Sequence, residues 1–486
     1  MQVRTNVTRR NVFGGSIAAL ALCGSVAACN SAARTTAANP GIDSLFAEWD
    51  KPESPGCAVG VIRDGEFIYE HGYGMANLDY DIPNSPRMAY YIASDSKQFT
   101  AAAIGLLVLD GKLSLDDDVR KYVPELPDYS KRYGVPVTVG ELVHHTSGLR
   151  DIFTLMGLAG IRVENVLTDD SSMALIARQK ELNFAPGSEY LYSNTGYQLL
   201  SLIVERVSGK PLRVFADERI FQPLGMTHTH FHDDAGRVVK NRAMSYVPDS
   251  ALDFRLSYLQ NFDKTGDGGL YTTVEDLARW DANYYTHQVG GDELQKLIHT
   301  RGVLTNGDTI AYAFGNNVFT YRGLHAVEHG GSLMGYRAHF LRFPDQKFSV
   351  IETCNLGSIN PGPIARKIAE LYIGDQMGPA EEDPEQRERP TRSTVTLSAA
   401  ERARLAGSYY SEELGATYEV FVSDGQLMLR RPNSPDTRTT AEDRVTLRAS
   451  GGGASIPVTL RFDSGAGAAR SFTAQTGRVK NIRFVR

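Results

Sequence analysis

The stretch YYIASDSKQFTAAAI, residues 90–104, sets a serine and a lysine, Ser94 and Lys97, three positions apart at the head of an apolar, helix-favouring run. Side chains three apart on a helix are neighbours. A serine hydroxyl is a weak nucleophile until a base removes its proton. A lysine that is desolvated near other cations or donors can have its pKa lowered enough to act as that base. A helix N-terminus also favours negative charge developing at Ser94. The spacing S-x-x-K equally fits the polar start of a buried helix, so on its own it leaves both readings standing. Two further groups of residues have reactive side chains. His228, His230 and His232 in THTHFH alternate along the chain, and in a strand they would share a face at metal-ligand spacing. Cys57 and Cys354 lie in the strand-like runs GCAVGVI and FSVIETC, far from any base in sequence, so thiol catalysis is not expected. An oxidising compartment would permit a disulfide between them, and two buried free thiols are the other reading.

The elements that must position these residues are legible in outline. CAVGVIRDGEFIYEHGYG gives two β-rich runs around Asp64-Gly65, a hairpin signal. From Ser94 onward, Phe99, Ala102, Ala103, Leu106 and Leu107 recur at helical intervals until Asp110-Gly111 ends the run. YSNTGYQLLSLIVERVSG and TTVEDLARWDANYY read as further helices, the second opening on a capping box of Thr273 and Asp276. LDDDV at 115–119 reads as a solvated helix start with aspartate caps. Strands return at YRAHFLRFPDQKFSVIETCNL, so strands at both ends enclose helices in an α+β unit closed by its own termini. Residues 378–394, charged and proline-rich, read as a linker. Beyond it, residues 395–486 carry short alternating strands that predict a small all-β barrel. At 486 residues and 42% hydrophobic, two packed domains are expected.

The N-terminus MQVRTNVTRRNVFGGSIAALALCGSVAAC reads as an export signal over residues 1–28, with Arg4, Arg9 and Arg10 before a modestly apolar stretch. Its glycine content and shortness argue against a membrane span. VAAC resembles the lipobox of bacterial lipoproteins, which makes Cys29 the expected lipidation site and residues 29–40 a tether. An ordinary cleaved signal with an incidental cysteine is the alternative. TRRNVF resembles a twin-arginine signal, with Val12 where the pattern prefers its aromatic. The expected location is the periplasm or cell envelope, lipid-anchored to a membrane. The net charge of −6 contains no long basic block, so nucleic acid is excluded as a partner.

YIASDSKQFTAAAI resembles the active-site helix of the serine β-lactamase and penicillin-binding-protein superfamily, and more closely its class C branch of esterases, D-aminopeptidases and related peptidases. GELVHHTSGL, FAPGSEYLYSNTGYQLL, IFQPLGMTHTHF, GDGGLYTTVEDLARW and VEHGGSLMGYRAHF follow in that branch's order, and the similarity spans about Gly41 to Ile373. The resemblance implies an antiparallel sheet flanked by helices with an all-helical lobe, over 41–377. The barrel resembles the lipocalin-like modules of some relatives, which in them shape the cleft mouth or support oligomers.

Carried across residue by residue, the resemblance implies Ser94 as the acylated nucleophile and Lys97 as its proton partner. Tyr192 would share the base role, and Asn194 would bind Lys97 and the substrate amide. His329, Gly330 and Gly331 stand where β-lactamases carry K-T-G, lining the cleft. The backbone N–H groups of Ser94 and Ser332 would form the oxyanion hole. Asn194, His329, Gly331 and Ser332 are therefore the expected substrate-binding residues. Histidine in the K-T-G lysine's place supplies less charge at neutral pH, since its ordinary pKa is about 6.5. That favours esters, amides or amino-terminal peptide bonds over β-lactams. In relatives the THTHFH segment is a surface turn and His144-His145 a structural turn beside the cleft. No metal or other cofactor is expected. The expected activity is that of an exported serine hydrolase acting through a serine acyl-enzyme on an ester, amide, D-amino-acid or peptide substrate. The alternatives are β-lactamase or DD-peptidase activity, or a non-catalytic penicillin-recognising receptor or scaffold.

Overall fold

The computed structural model describes residues 39–162, 165–251, 253–257, 262–380, 394–450, 456–465 and 467–486. The stretch read as an export signal, Cys29 and most of the expected tether lie outside them. Regular structure begins two residues before the expected Ile42, because Asn39 caps a helix over Pro40–Phe46, its Oδ1 accepting from Gly41 N and Ile42 N. Proline at the first helical position suits that start.

β1 (Cys57–Arg63) and β2 (Glu66–Tyr73) form the expected hairpin. Asp64 (φ 52°) and Gly65 (φ 82°) both take the left-handed conformation that a tight two-residue hairpin turn requires. The sheet continues with β3 (Asn317–Tyr321), β4 (Leu324–Leu333), β5 (Tyr336–Phe343) and β6 (Phe348–Cys354). Its order is β3-β4-β5-β6-β1-β2, antiparallel throughout, so the chain's first strands pair with its last. Cys57 and Cys354 face each other across β1 and β6 and are joined as a disulfide, which corrects the free-thiol reading. Alternate residues of β1 serve opposite faces. Val59 and Val61 join the helix Pro361–Ile373, and Ala58 and Ile62 join the larger helical side.

On that side lies α1 (Lys97–Leu109), with eleven of its thirteen residues buried. The small residues of TAAAIG let neighbours close in from every direction, and a Cβ at Gly105 would stand 2.6 Å from Leu294. Such an all-round apolar helix belongs in a core. α2 (Ile152–Ala159) packs on α3 (Asn194–Ser208), and α3 packs on α1, as do the helices Leu212–Ala216 and Gly291–Ile298, while α4 (Val274–Thr286) sets Trp280 against Phe99. The capping box at Thr273 forms only by half. Thr273 accepts from Asp276 N, but the Asp276 carboxylate instead takes His228 N and the Thr229 hydroxyl.

Backbone hydrogen bonds reach both edges of the stretch read as a linker. Gly378 N still bonds Arg322 O, and Val395 N already bonds Ala441 O, while 381–393 lie outside the described residues. A helix over Ala399–Leu405, opened by a Ser398/Glu401 capping box, precedes the barrel and was not foreseen. Eight strands between Gly407 and Val485 then close into the barrel, Tyr410 pairing with Val485 at the seam. Tyr409, Tyr418, Leu429, Leu460, Phe472 and Phe484 are buried within it. The core and the barrel belong to one compact unit. Arg150, fully buried, donates from Nε to Lys480 O (3.0 Å) and from Nη2 to Asn481 O (2.9 Å), and pairs with Glu413 Oε1 at 2.5 Å.

Candidate active site

Ser94 sits in a tight turn, Ala93–Ser96, that leads into α1. Ala93 takes a left-handed φ of 49°, which needs the support of its surroundings. That support comes from Ser96 Oγ, which donates to Ala93 O (2.6 Å) and accepts from Leu270 N, and from β4 pressed against the turn. A Cβ at Gly331 would lie 1.9 Å from Ile92 O, so only glycine lets the strand approach this closely. Ser94 is partly exposed, whereas Asp95, Ser96 and Lys97 are buried.

The Lys97 amine has three acceptors: Ser94 Oγ at 3.2 Å, Asn194 Oδ1 at 2.9 Å, and Asp267 O. They match the three protons of an ammonium. Burial, helped by the Lys264 and Arg478 charges and opposed by Asp267 and Asp151, pushes its pKa down to about 7. The ring of Tyr192 lies 4.9 Å from the amine. Its hydroxyl is buried without a well-formed hydrogen bond, yet is close enough to Ser94 for that neighbour to oppose the upward push of burial on the phenol. The structure thus brings Ser94, Lys97, Tyr192 and Asn194 together.

Asn194 opens α3, and both its backbone N and its Nδ2 donate to Asp151 Oδ2 at 2.8 Å. His329, on β4, donates from Nδ1 to Gly330 O (2.7 Å), which leaves Nε2 to accept from the Tyr312 hydroxyl (3.1 Å). Burial and the Lys97 charge push its pKa to about 3, so the ring is uncharged at neutral pH. Gly330, Gly331 and the exposed Ser332 continue along the strand into the cleft.

That cleft, of about 1670 Å³, is also lined by the barrel, through Ile456, Pro457 and the turn Thr476–Arg478. The Arg478 guanidinium stands 4.5 Å over the Tyr192 ring, with Nη1 3.9 Å from Asp151 Oδ2. Arg478 thus adds a permanent cation from the barrel to a cleft that Arg322, Arg337, Arg366 and Lys367 of the core also line. Arg478, Asp151, Asp267 and Tyr312 escaped sequence reasoning. Only Asp151 carried a local signal, an acid directly ahead of the apolar run IFTLMGLA, where it caps α2 by accepting from Thr154 N (3.0 Å).

The remaining histidines are not gathered. His230 and His232 lie 3.4 Å apart beside Tyr271, while His228 is exposed, and among the described residues no cluster of three or more His, Cys, Asp or Glu is placed to hold a metal. His145 is a buried turn residue (φ 59°) whose ring packs 4.1 Å from that of Tyr192.

Residues 42–374 match the family model described as Beta-lactamase. The chain is 28% identical over 376 residues to the D-aminopeptidase of Gluconobacter oxydans, covering 77% of this chain and 67% of that one. The chain spans 67% or less of the length of the curated relatives it matches first. Among solved structures it superposes on the octameric penicillin-binding protein homologue from Pyrococcus abyssi with a TM-score of 0.62 and 25% identity, covering 92% of this chain and 99% of that one. The D-amino acid amidase from Ochrobactrum anthropi SV3 shares the fold, with a TM-score of 0.57 and 20% identity over 70% of this chain and all of that one.

Proposed function

The chain belongs to the beta-lactamase family, and from that premise we propose that it is an exported serine hydrolase that cleaves an ester, an amide or a D-amino-acid peptide bond through an acyl-enzyme on Ser94. The observation that carries this reading is the partly exposed Ser94 hydroxyl 3.2 Å from a buried amine whose pKa is lowered to about 7.

At neutral pH a large share of Lys97 is unprotonated, so the Ser94 hydroxyl can donate to Nζ rather than accept from it. As Oγ attacks the substrate carbonyl, its proton passes to Lys97. The carbonyl oxygen becomes an oxyanion, which the N–H groups of Ser94 and Ser332 are suited to receive. Tyr192 is the poorer first base, since burial holds its phenol well above the ordinary range. As the intermediate collapses, the Tyr192 hydroxyl gives its proton to the departing alkoxide or amine and takes the one held on Lys97. The phenol thus ends protonated, and Lys97 ends as a free base ready to accept a proton from the attacking water and return it to Ser94 Oγ. Water then attacks the acyl-serine, returning the acid and the free hydroxyl. A cofactor has no part in these steps.

The names of the relatives, D-aminopeptidase and D-amino acid amidase, favour an amide of a D-amino acid. Arg478 in the cleft favours a second reading, β-lactamase or DD-peptidase activity, in which a substrate carboxylate meets that cation. A panel of D-amino acid amides, short acyl esters and nitrocefin against purified protein separates these. Turnover of amides or esters that is lost in Ser94→Ala supports the hydrolase. Nitrocefin turnover alone selects the second reading. Stable fluorophosphonate labelling of Ser94 with no turnover would make the protein a receptor. For location, we propose lipidation at Cys29, so Cys29→Ala should release the protein from membranes; retention would exclude that anchor.

A further inference from the structure

The Asn194 side chain is useful to Lys97 in only one of its two orientations. With Oδ1 toward the amine it accepts a hydrogen bond; flipped by 180°, it would set an NH2 group against an ammonium and leave Lys97 short of an acceptor. Something must hold that choice. Asp151 is 1% exposed, and its carboxylate takes four donors. Oδ2 accepts from Asn194 N and Asn194 Nδ2, both at 2.8 Å, and Oδ1 accepts from Thr154 N and the Thr154 hydroxyl, both at 3.0 Å.

The neighbouring residue is clamped as firmly. Thr195, next to Asn194, donates from its hydroxyl to Arg150 O at 2.7 Å. The Arg150 guanidinium is committed to the barrel through Lys480 O, Asn481 O and Glu413, and to Gln179 Oε1 (3.0 Å). Arg150 and Asp151 are thus gripped on one side by the N-terminus of α3 and on the other by the barrel.

We propose that Asp151 is a positioning residue of the nucleophilic centre: its carboxylate fixes the Asn194 amide with Oδ1 toward Lys97, and the barrel holds Asp151 in place through Arg150. This rests on the serine-hydrolase reading for its consequence but not for its geometry. Without the carboxylate, Asn194 is free to rotate, and Lys97 loses a partner that fixes it on Ser94.

Asp151→Asn in the full-length protein is the discriminating variant. Asparagine caps helices as well as aspartate, so its Oδ1 can keep the bonds to Thr154, while its NH2 then faces the two donors of Asn194. The expected result is a folded protein with a lowered melting temperature, since two buried donors lose their acceptor, and a kcat per titratable Ser94 lowered by about tenfold or more, with KM nearly unchanged. The fluorophosphonate labelling rate should fall with it. In an Asn194→Ala background, Asp151→Asn should add less than about a twofold further loss, because both act through one amide. A folded Asp151→Asn protein with unchanged labelling rate would overturn the proposal, as would losses that multiply in the double variant. If the wild type labels at Ser94 but hydrolyses no substrate, the hydrolase reading fails while the labelling rates still decide the role of Asp151.

Discussion

At the scale of single residues, the chemistry turns on which group carries a proton near neutrality. A base must be unprotonated to act, so kcat/KM should rise with pH up to about 7, where Lys97 loses its proton, and level off above it. A pH–rate profile of ester hydrolysis checks this, and a flat profile between 5 and 8 would remove Lys97 as the base. Lys97→Ala should lower the acylation rate by about a hundredfold or more; unchanged burst kinetics would also exclude it. The spacing made Ser94 and Lys97 legible as helical neighbours and no more; their roles, and Tyr192 and Asn194 altogether, came from the resemblance to the serine β-lactamase and penicillin-binding-protein superfamily. Asp151 and Tyr312 were not legible, because a lone acid or tyrosine acquires its role only from what folding places beside it. Arg478 lies still further from the rest, on a barrel turn that no spacing connects to Tyr192.

At the scale of elements, hydrophobic alternation and turn residues gave the hairpin at Asp64-Gly65, the strands around Phe340 and Val350, and the helices that open at Lys97, Asn194 and Val274. Strand adjacency was a different matter. Cys57 and Cys354 were each placed in a strand, but only the pairing of β1 with β6 brings them together. Glu352, on the same strand β6, shows what composition hides. It is fully buried, and neither carboxyl oxygen has a hydrogen-bond partner. Burial raises its pKa well above the ordinary carboxylate range. A folded-state pKa raised above the unfolded value means stability that is complete below the unfolded pKa, about 4.3, and declines as pH rises above it. Glu352→Gln, neutral at every pH, should therefore raise the melting temperature at pH 8 relative to wild type and lose that advantage by pH 4. Equal shifts at both pH values, measured by thermal denaturation, would contradict this.

At the scale of the whole molecule, the sequence separates core and barrel by a charged stretch, as though they were independent. The structure joins them at the cleft. Linker composition reports what a segment cannot bury and says nothing of what its neighbours touch, which is why the Arg150–Glu413 contact was invisible. Both side chains of that pair are at least 95% buried. Removing one partner of such a pair leaves an uncompensated charge inside the protein, so Glu413→Ala should cost about 3–5 kcal/mol of stability. Denaturant titration measures it; a loss within that of an exposed pair, about 0–1 kcal/mol, would show the contact to be incidental. The measurement that tests the central claim most directly is intact-mass analysis of protein quenched during turnover of a chromogenic ester, with the acylated residue mapped by peptide fragmentation. A transient acyl group on Ser94, formed more slowly in Lys97→Ala and absent in Ser94→Ala, is the predicted result. Hydrolysis that survives Ser94→Ala, or an acyl group on any other residue, would contradict it.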